Sequence, residues 1–402
     1  MIDLLTLHRP RPAPRLGQFT DSYPPVINGV STFVSEHHAE LLNRGEDAHV
    51  FTFGYLQHHD DQANVWRSFA LPMGTSQFRT WPSLDRRSLE AAATLDVLHL
   101  HEAIGIGHLG RRLARQRQIP YIFTSHTRHD LYVRNYPRLL QPFILAYVTR
   151  SMAQFIRGSA LTTAPSHDAM LWLRSLAPDA ADRIRVAPNG ILIDVFDRSA
   201  GQPDRGALHI GADQTLFIYV GRVTPEKNLT VLAQALVRAV DLGADLHWLV
   251  IGDGSSRRAL EAILAPIRSR VSFLGALPRS EIAHYLKMAD VFITASLSEV
   301  NPVSVIEALA CQKPYIGLKA AWWAEFAGEN AADQAGLLCD HNPIDLAAAL
   351  QRLCEDKALR ARMSAQAARL SRNFDIHQVT AQWIELYHSL ADLKISNLKS
   401  KI

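Results

Sequence analysis

The chain has 402 residues, 48% of them apolar and 20% charged, with a formal net charge of +3; that is enough for two ordinary domains and argues against disorder, collagen-like repeats and coiled-coil composition. No apolar run approaches the ~20 residues that cross a bilayer, and the opening MIDLLTLHRPRPAP has an acid at position 3 and no stretch of signal-peptide length. Cys311, Cys339 and Cys354 are too few and too scattered for a disulfide framework, so a cytoplasmic location is expected.

The first strand candidate, RLGQFT at 15–20, is a poor one, and residues 1–14 ahead of it read as an extension or an upstream start. Better strands follow at 96–101 (DVLHLH), 120–126 (PYIFTSH), 160–166 (ALTTAPS) and 183–190 (RIRVAPNG), each separated by a helical length of chain. FDRSAGQPDRG at 196–206, rich in Gly, Pro and charge, reads as a linker. The rhythm then returns with strands at 216–222, 245–254, 271–275, 291–296 and 314–318, and helices such as 227–242 and 255–268 between them. Strict alternation of this kind predicts parallel sheets covered on both faces, hence an α/β chain of two Rossmann-like domains.

Charge is unevenly divided. Residues 1–200 hold 21 Arg, no Lys and 18 acids, and residues 103–157 hold nine Arg against the single acid Asp130. Such a patch points to an anionic partner, nucleic acid or an anionic membrane surface.

Gly105, Gly107 and Gly110 spell G-x-G-x-x-G after a strand, with Asp130 twenty residues beyond. The motif sits on a middle strand and Asp130 lies past the next one, so we read a glycine-rich strand-to-helix turn rather than a dinucleotide site. His99 and His101 alternate on one strand, and His126, His129 and Asp130 follow the next; drawn together they would be a metal site, and a metal-dependent hydrolase is the second reading. Nothing fixes a third ligand at diagnostic spacing, and no D-x-D is present.

The second half carries the stronger pattern. Arg222 follows a strand and Lys227 opens a helix five residues later, a pair able to neutralise a diphosphate. Glu299 ends a strand, and Glu307 lies eight residues on, inside a helix expected to take Asn301 as N-cap and Pro302 as its first residue. Carboxylates accept paired hydroxyl hydrogen bonds, as a sugar or ribose diol requires, while the helix start offers amides to phosphate.

In order and spacing, TDSYPPVINGVSTF (20–33), SHTRHDLYVRNY (125–136), APSHDAM (164–170), VAPNGILIDVF (186–196), YVGRVTPEKNL (219–229), VIGDGSSRRAL (250–260) and the Glu299/Glu307 pair form a specific set. Through it the chain resembles the retaining glycosyltransferases of the GT-B fold, the glycogen-synthase-like group 1 family, over nearly its whole length. The resemblance implies an N-terminal domain at 1–198, a nucleotide-sugar-binding domain at 199–375, and a segment 376–402 whose helix, with Trp383 and Tyr387, crosses back to the first. It implies that Arg222 and Lys227 hold the donor diphosphate and that Gly29 lets a first-domain loop approach it. Glu307 would bind the ribose, Glu299 and the amides of Asn301, Val303 and Ser304 the donor sugar, and His126 would lie beside the reactive carbon. The base would be read by backbone near Gly275, and Asn189 and Gly190 would shape a turn.

Val300, Gln312 and the segment 320–323 (AAWW) replace glycines common in the family. The first motifs look most like the subgroup that glycosylates diacylglycerol and related lipids. Residues 131–148 interleave Leu, Tyr and Phe with Arg as an interfacial segment does, and no nucleic-acid module accompanies the arginines. The expectation is therefore a peripheral enzyme on the inner face of the cell membrane that moves glucose from UDP-glucose to a lipid hydroxyl, with no metal or other cofactor. A GDP-mannose-dependent lipid mannosyltransferase and a non-catalytic nucleotide-sugar-binding protein are the alternatives.

Overall fold

The computed structural model describes residues 13–26, 28–54, 58–72, 79–133, 137–198, 203–297, 299–326 and 334–399. The expectation for residues 1–14 thus lies almost wholly outside the described residues, as does the middle of the linker. Two parallel sheets carry the fold. The first comprises β1 (Leu16–Phe19), β2 (Ala48–Phe53), β3 (Val65–Ser68), β6 (Val97–Leu100), β7 (Tyr121–Thr124), β8 (Leu161–Ala164) and β9 (Ile184–Val186), in the order β3-β2-β1-β6-β7-β8-β9. Between β3 and β6 in sequence, β4 (Leu71–Pro72) and β5 (Arg79–Thr80) make a small antiparallel pair. The second sheet orders β10 (Thr215–Val220), β11 (Leu246–Ile251), β12 (Val271–Gly275), β13 (Val291–Ile293), β14 (Tyr315–Leu318) and β15 (Gly336–Cys339) as β12-β11-β10-β13-β14-β15.

By compactness the chain divides into one unit of residues 1–125, 150–163 and 380–402 and another of 126–149 and 164–379. In the second unit, β10 is buried along its whole length because alternate residues feed two cores. Phe217 and Tyr219 pack with the helix Leu229–Asp241 on one face, while Leu216, Ile218 and Val220 pack with the helix Val303–Ala310 on the other.

The poor first strand turns out to be central. β1 pairs with both β2 and β6, and Gly17 is needed because a Cβ there would stand 2.4 Å from Leu95 Cδ1. The G-x-G-x-x-G segment is the strand-to-helix turn read from sequence. Gly105, at φ +54°, precedes the helix Ile106–Arg117, and a Cβ at Gly107 would lie 1.8 Å from the Glu102 carbonyl. Asp21 Oδ1 accepts from Ile106 N (3.1 Å), and Glu102 accepts from Thr20 Oγ1 (3.0 Å) and Asp21 N (3.1 Å). Burial raises Asp21 to about 7 and Glu102 well above the usual carboxylate range, the Asp21 charge adding to the second.

The C-terminal helix Ile376–Lys399 is seated in the first unit by a buried polar chain. His37 is hydrogen-bonded through Nδ1 to Thr380 Oγ1 (2.8 Å) and through Nε2 to Tyr387 Oη (3.0 Å). His99 is hydrogen-bonded through Nδ1 to the same Tyr387 Oη (2.7 Å) and through Nε2 to Thr124 Oγ1 (2.6 Å), and its ring lies against Trp383. Both nitrogens of His99 are thus engaged in holding the helix, which corrects its reading as a metal ligand.

Burial lowers His37 to about 3, so the folded protein holds it neutral. The unfolded chain takes up a proton below the ordinary histidine pKa of about 6.5, so this contribution to stability is complete above pH 6.5 and lost as pH falls toward 3. Asp21 and Glu102 act in the opposite sense, which makes a difference measurement necessary. We expect the stability gap between wild type and His37→Gln to narrow by up to about 1.4 kcal/mol per pH unit between pH 6.5 and 4, read from urea melts. A gap independent of pH would show that His37 is not held neutral.

Candidate active site

A parallel sheet delivers all its strand ends to one edge, and an open α/β sheet forms a crevice there where the strand order reverses. In the second sheet this point falls between β10 and β13. Arg222 and Lys227 follow β10, Glu299 follows β13, and the helix Val303–Ala310 starts just beyond.

The ends of β10, β11 and β12 are stitched through glycines. Gly221 N donates to the Ile251 carbonyl (3.0 Å) and Gly252 N to the Gly275 carbonyl (2.7 Å). Gly252 has φ +133°, and a Cβ on it would stand 1.8 Å from the Gly221 carbonyl oxygen, so only glycine permits the approach. Tyr219 Oη donates to the Arg222 carbonyl (2.8 Å), and burial pushes the phenol pKa up, so it stays a neutral donor. Gly275 has φ +72° with nothing within 4 Å of a would-be Cβ, so the space on that side of the residue is open, while its carbonyl is held by Gly252 N.

The functional side chains are held by one another. Arg222 pairs with Glu226 (3.1 Å) and keeps 67% of its side chain exposed, while Lys227 Nζ donates to Glu299 Oε1 and both are largely covered. Glu307, 5% exposed, accepts from Arg279 Nε (2.6 Å), whose guanidinium lies 5.4 Å from the Phe196 ring centre. Sequence reasoning missed Arg279, the first residue of the helix Arg279–Met288; a lone arginine after Pro278 carries no pattern of its own.

The helix Val303–Ala310 begins one residue later than expected. Pro302 is its N-cap and Val303 its first residue, and Asn301 instead donates through Nδ2 to the Asn189 carbonyl (3.3 Å). The amide therefore ties two loops of the second unit together, while Val303 and Ser304 form the first turn. At the other end Gln312 takes the family's glycine position with φ +60°. Lys313 N donates to Ala308 O and Gln312 N to Leu309 O, both 2.9 Å, the double closure of a Schellman turn. In place of the Gly-Gly turn, Trp322 and Trp323 are buried and stacked 4.1 Å apart, and Gly317 leaves room for Trp323.

His126 follows β7, and burial lowers its pKa to about 3, so it is neutral. His129, lowered to about 4 by burial, begins the short helix His129–Tyr132. Asp130 is held by Arg128 (2.8 Å), which also pairs with Asp168 and lies over Trp172. Arg128 is thus an internal structural cation and is subtracted from the arginine patch. Among the described residues no group of three metal-ligating side chains converges. Gly29 is the first residue of the helix Gly29–Asn43, capped by Asn28, whose side chain accepts from Ser31 N (2.8 Å).

These geometries separate two kinds of residue. Glu307→Gln removes the charge that faces the half-buried Arg279 and should cost about 1–3 kcal/mol in guanidinium unfolding. Arg222→Ala removes only an exposed pair and should stay within about 0.5 kcal/mol of wild type. Equal losses would mean that the Glu307–Arg279 pair bears no more than a surface pair does.

Residues 202–370 match the family described as glycosyl transferases group 1, and residues 27–195 match glycosyltransferase family 4. Among curated relatives, an alpha-monoglucosyldiacylglycerol synthase of Streptococcus pneumoniae is 29% identical over 75% of this chain and 70% of its own. One of the same name from Acholeplasma laidlawii is 26% identical over 75% and 79%. A D-inositol 3-phosphate glycosyltransferase of Xylanimonas cellulosilytica is 28% identical over 89% and 91%. Among solved structures, Anabaena Alr3699/HepE in complex with UDP-glucose superposes with a TM-score of 0.71 at 19% identity, covering 94% of this chain and all of its own. A sucrose-phosphate synthase from Thermosynechococcus elongatus does so at 0.72 and 19%, covering 94% and 99%. With each half matched by a glycosyltransferase family and the fold shared with the solved glycosyltransferases, the chain carries a group 1 glycosyltransferase domain and is a glycosyltransferase of the GT-B fold.

Proposed function

We propose that the protein transfers glucose from UDP-glucose to a hydroxyl of a membrane lipid such as diacylglycerol, with retention at the anomeric carbon, as a peripheral protein of the inner face of the cell membrane. The observation that carries this reading is the convergence of Arg222, Lys227, Glu299 and the start of the helix Val303–Ala310 on one strand-order reversal. Two cations and a set of amide donors suit a diphosphate, and the adjoining carboxylates suit sugar hydroxyls. The names of the two synthases and the UDP-glucose complex among the similar proteins support the donor and acceptor named here.

In the reaction the bond from the anomeric carbon to the diphosphate oxygen breaks and one to the acceptor oxygen forms. The acceptor proton passes to the departing phosphate. Arg222 and Lys227 stabilise the charge that grows on the leaving group, so they act more strongly on the transition state than on the bound donor. Lys227 leaves Glu299 as it engages phosphate, which frees that carboxylate for the sugar, together with the amides of Asn301, Val303 and Ser304. Glu307 takes the ribose diol and backbone at Gly275 takes the base. Neutral His126 hydrogen-bonds the sugar beside the reacting carbon without placing a charge there.

The membrane reading draws on surface composition. Leu139, Phe143 and Tyr147 are 87%, 75% and 59% exposed in the arginine-rich stretch, an unusual investment of apolar surface in water. Among the described residues no helix is long and apolar enough to cross a membrane, so attachment by this route is interfacial. Arg134 and Tyr136 of the same stretch lie outside the described residues.

Incubation of the purified protein with UDP-glucose and vesicles containing diacylglycerol should yield glucosyldiacylglycerol, identified by mass; UDP-glucose hydrolysis without lipid product would overturn the acceptor. Arg222→Ala and Lys227→Ala should each lower kcat/KM at least about tenfold, a loss of about 1.4 kcal/mol of transition-state binding. Because protein cations neutralise the phosphates, turnover should survive EDTA; loss restored by one divalent metal would require an ion in the mechanism.

A further inference from the structure

On the first unit lies a depression of about 380 Å³ lined by Arg111, Arg115, Tyr121, Gln154, Arg157 and Gly158, none of them a residue assigned to the donor. We propose that it is a site for the phosphodiester of an anionic membrane phospholipid. This deepens the membrane reading above, turning diffuse attraction into a defined headgroup site.

The depression is built rather than incidental. Arg111 Nη1 donates to Gln154 Oε1 (3.2 Å) and its guanidinium lies 5.2 Å from the Phe155 ring centre, so the cation is fixed in place. Its Nε is buried without a hydrogen-bond partner among the described residues, a donor whose desolvation nothing yet offsets. Tyr121 Oη donates to the Phe155 carbonyl (2.8 Å), and a Cβ at residue 158 would stand 2.5 Å from that hydroxyl, so Gly158 keeps the floor open. Three guanidinium groups line the site and no acid does. From residue 103 to 167 the only acid is Asp130, held by Arg128.

Helix ends explain part of this charge. Arg115 and Arg157 stand in the last turns of their helices, where the carbonyl end of the dipole favours a cation. Arg111 stands mid-helix, where the dipole gives no such reason.

A lipid rather than a soluble anion is indicated by the helix that supplies Gln154 and Arg157. Along Gln141–Gly158 the exposed positions include Phe143, Tyr147, Arg150, Gln154 and Arg157, at helical spacing on one face. At about 1.5 Å per residue the stripe is roughly 21 Å long. Its first half is apolar and its second half basic, as a helix lying along a headgroup boundary requires. The depression also borders Tyr121, the first residue of β7, whereas His126 lies past that strand's other end.

The test measures binding without donor, to vesicles of phosphatidylcholine with and without phosphatidylglycerol. The variant Arg111→Gln/Arg115→Gln/Arg157→Gln is set against Arg86→Gln/Arg87→Gln/Arg117→Gln, which removes the same charge from exposed positions of the same unit. Thermal melts confirm that both fold. Binding should require phosphatidylglycerol, fall at least about tenfold in the first variant and fall much less in the second. Equal falls would show diffuse charge, and an unchanged first variant would show that the depression is idle; either result overturns the proposal. So would saturable binding of sn-glycerol 3-phosphate or inorganic phosphate that the first variant loses while vesicle binding persists, since the site would then serve a soluble anion. Glucose transfer to diacylglycerol in neutral detergent micelles reads the acceptor separately, so failure of one reading is not mistaken for failure of the other.

Discussion

The candidate site depends on β10 pairing in parallel with β11 on one side and β13 on the other. The crossover after β10 runs to β11 and the one after β13 runs the opposite way along the sheet to β14, so the loops after β10 and β13 diverge and open a crevice that neither need fill. The glycine stitching of Gly221, Gly252 and Gly275 then fixes how far each strand end projects. Arg222 and Lys227 can be mobile side chains on a rigid base, because the backbone beneath them is tied at both neighbours and Tyr219 holds the Arg222 carbonyl.

The same crevice explains why its charges are paired with one another. A covered cation without a counter-charge is costly, and Lys227 and Arg279 each face a carboxylate from within the unit, Glu299 and Glu307, while the exposed Arg222 pairs with Glu226. The pairs differ in burial, and burial sets their exchangeability. Arg222 is wet and loosely held, Lys227 and Glu299 are covered alike, and Glu307 is the most enclosed of the carboxylates although its partner Arg279 keeps more exposure than Lys227. In the proposed reaction an anionic donor replacing the carboxylate on Lys227 would exchange one ion pair for another, which would keep the net desolvation cost small and release Glu299 for sugar hydroxyls.

Much of this was legible in the sequence, and the omissions have physical reasons. Apolar runs between helical lengths marked most strands of both sheets, since strands buried on two faces leave no polar alternation to misread. β1 looked weak because Gly17 and Gln18 interrupt its apolar run, yet the glycine is what lets Leu95 approach a strand that pairs on both sides. The glycine-rich turn after β6 was read correctly because its position in the alternation, rather than its spacing, was weighed. His99 could not be told from a ligand by sequence, since its partner Tyr387 is 288 residues away. Asn301 was expected to cap a helix by local propensity, and a tertiary bond to Asn189 prevailed. Arg279 was invisible for the same reason as Tyr387: its meaning lies entirely in what it meets.

The charge excess that composition revealed resolves into parts with different roles. Arg128 closes an internal bridge to Asp130 and Asp168, so it belongs to the fold. Arg115, Arg117 and Arg157 offset the carbonyl ends of two helices while their side chains stay exposed. Folding alone does not account for Phe143 and Tyr147 on the outer face of the same helix as Arg150 and Arg157, since their exposure gains nothing in water. A sequence selected only for a stable soluble surface would interleave acids with these arginines and replace the aromatic rings. Both features on one helical face are what the proposed anionic, partly apolar boundary would stabilise.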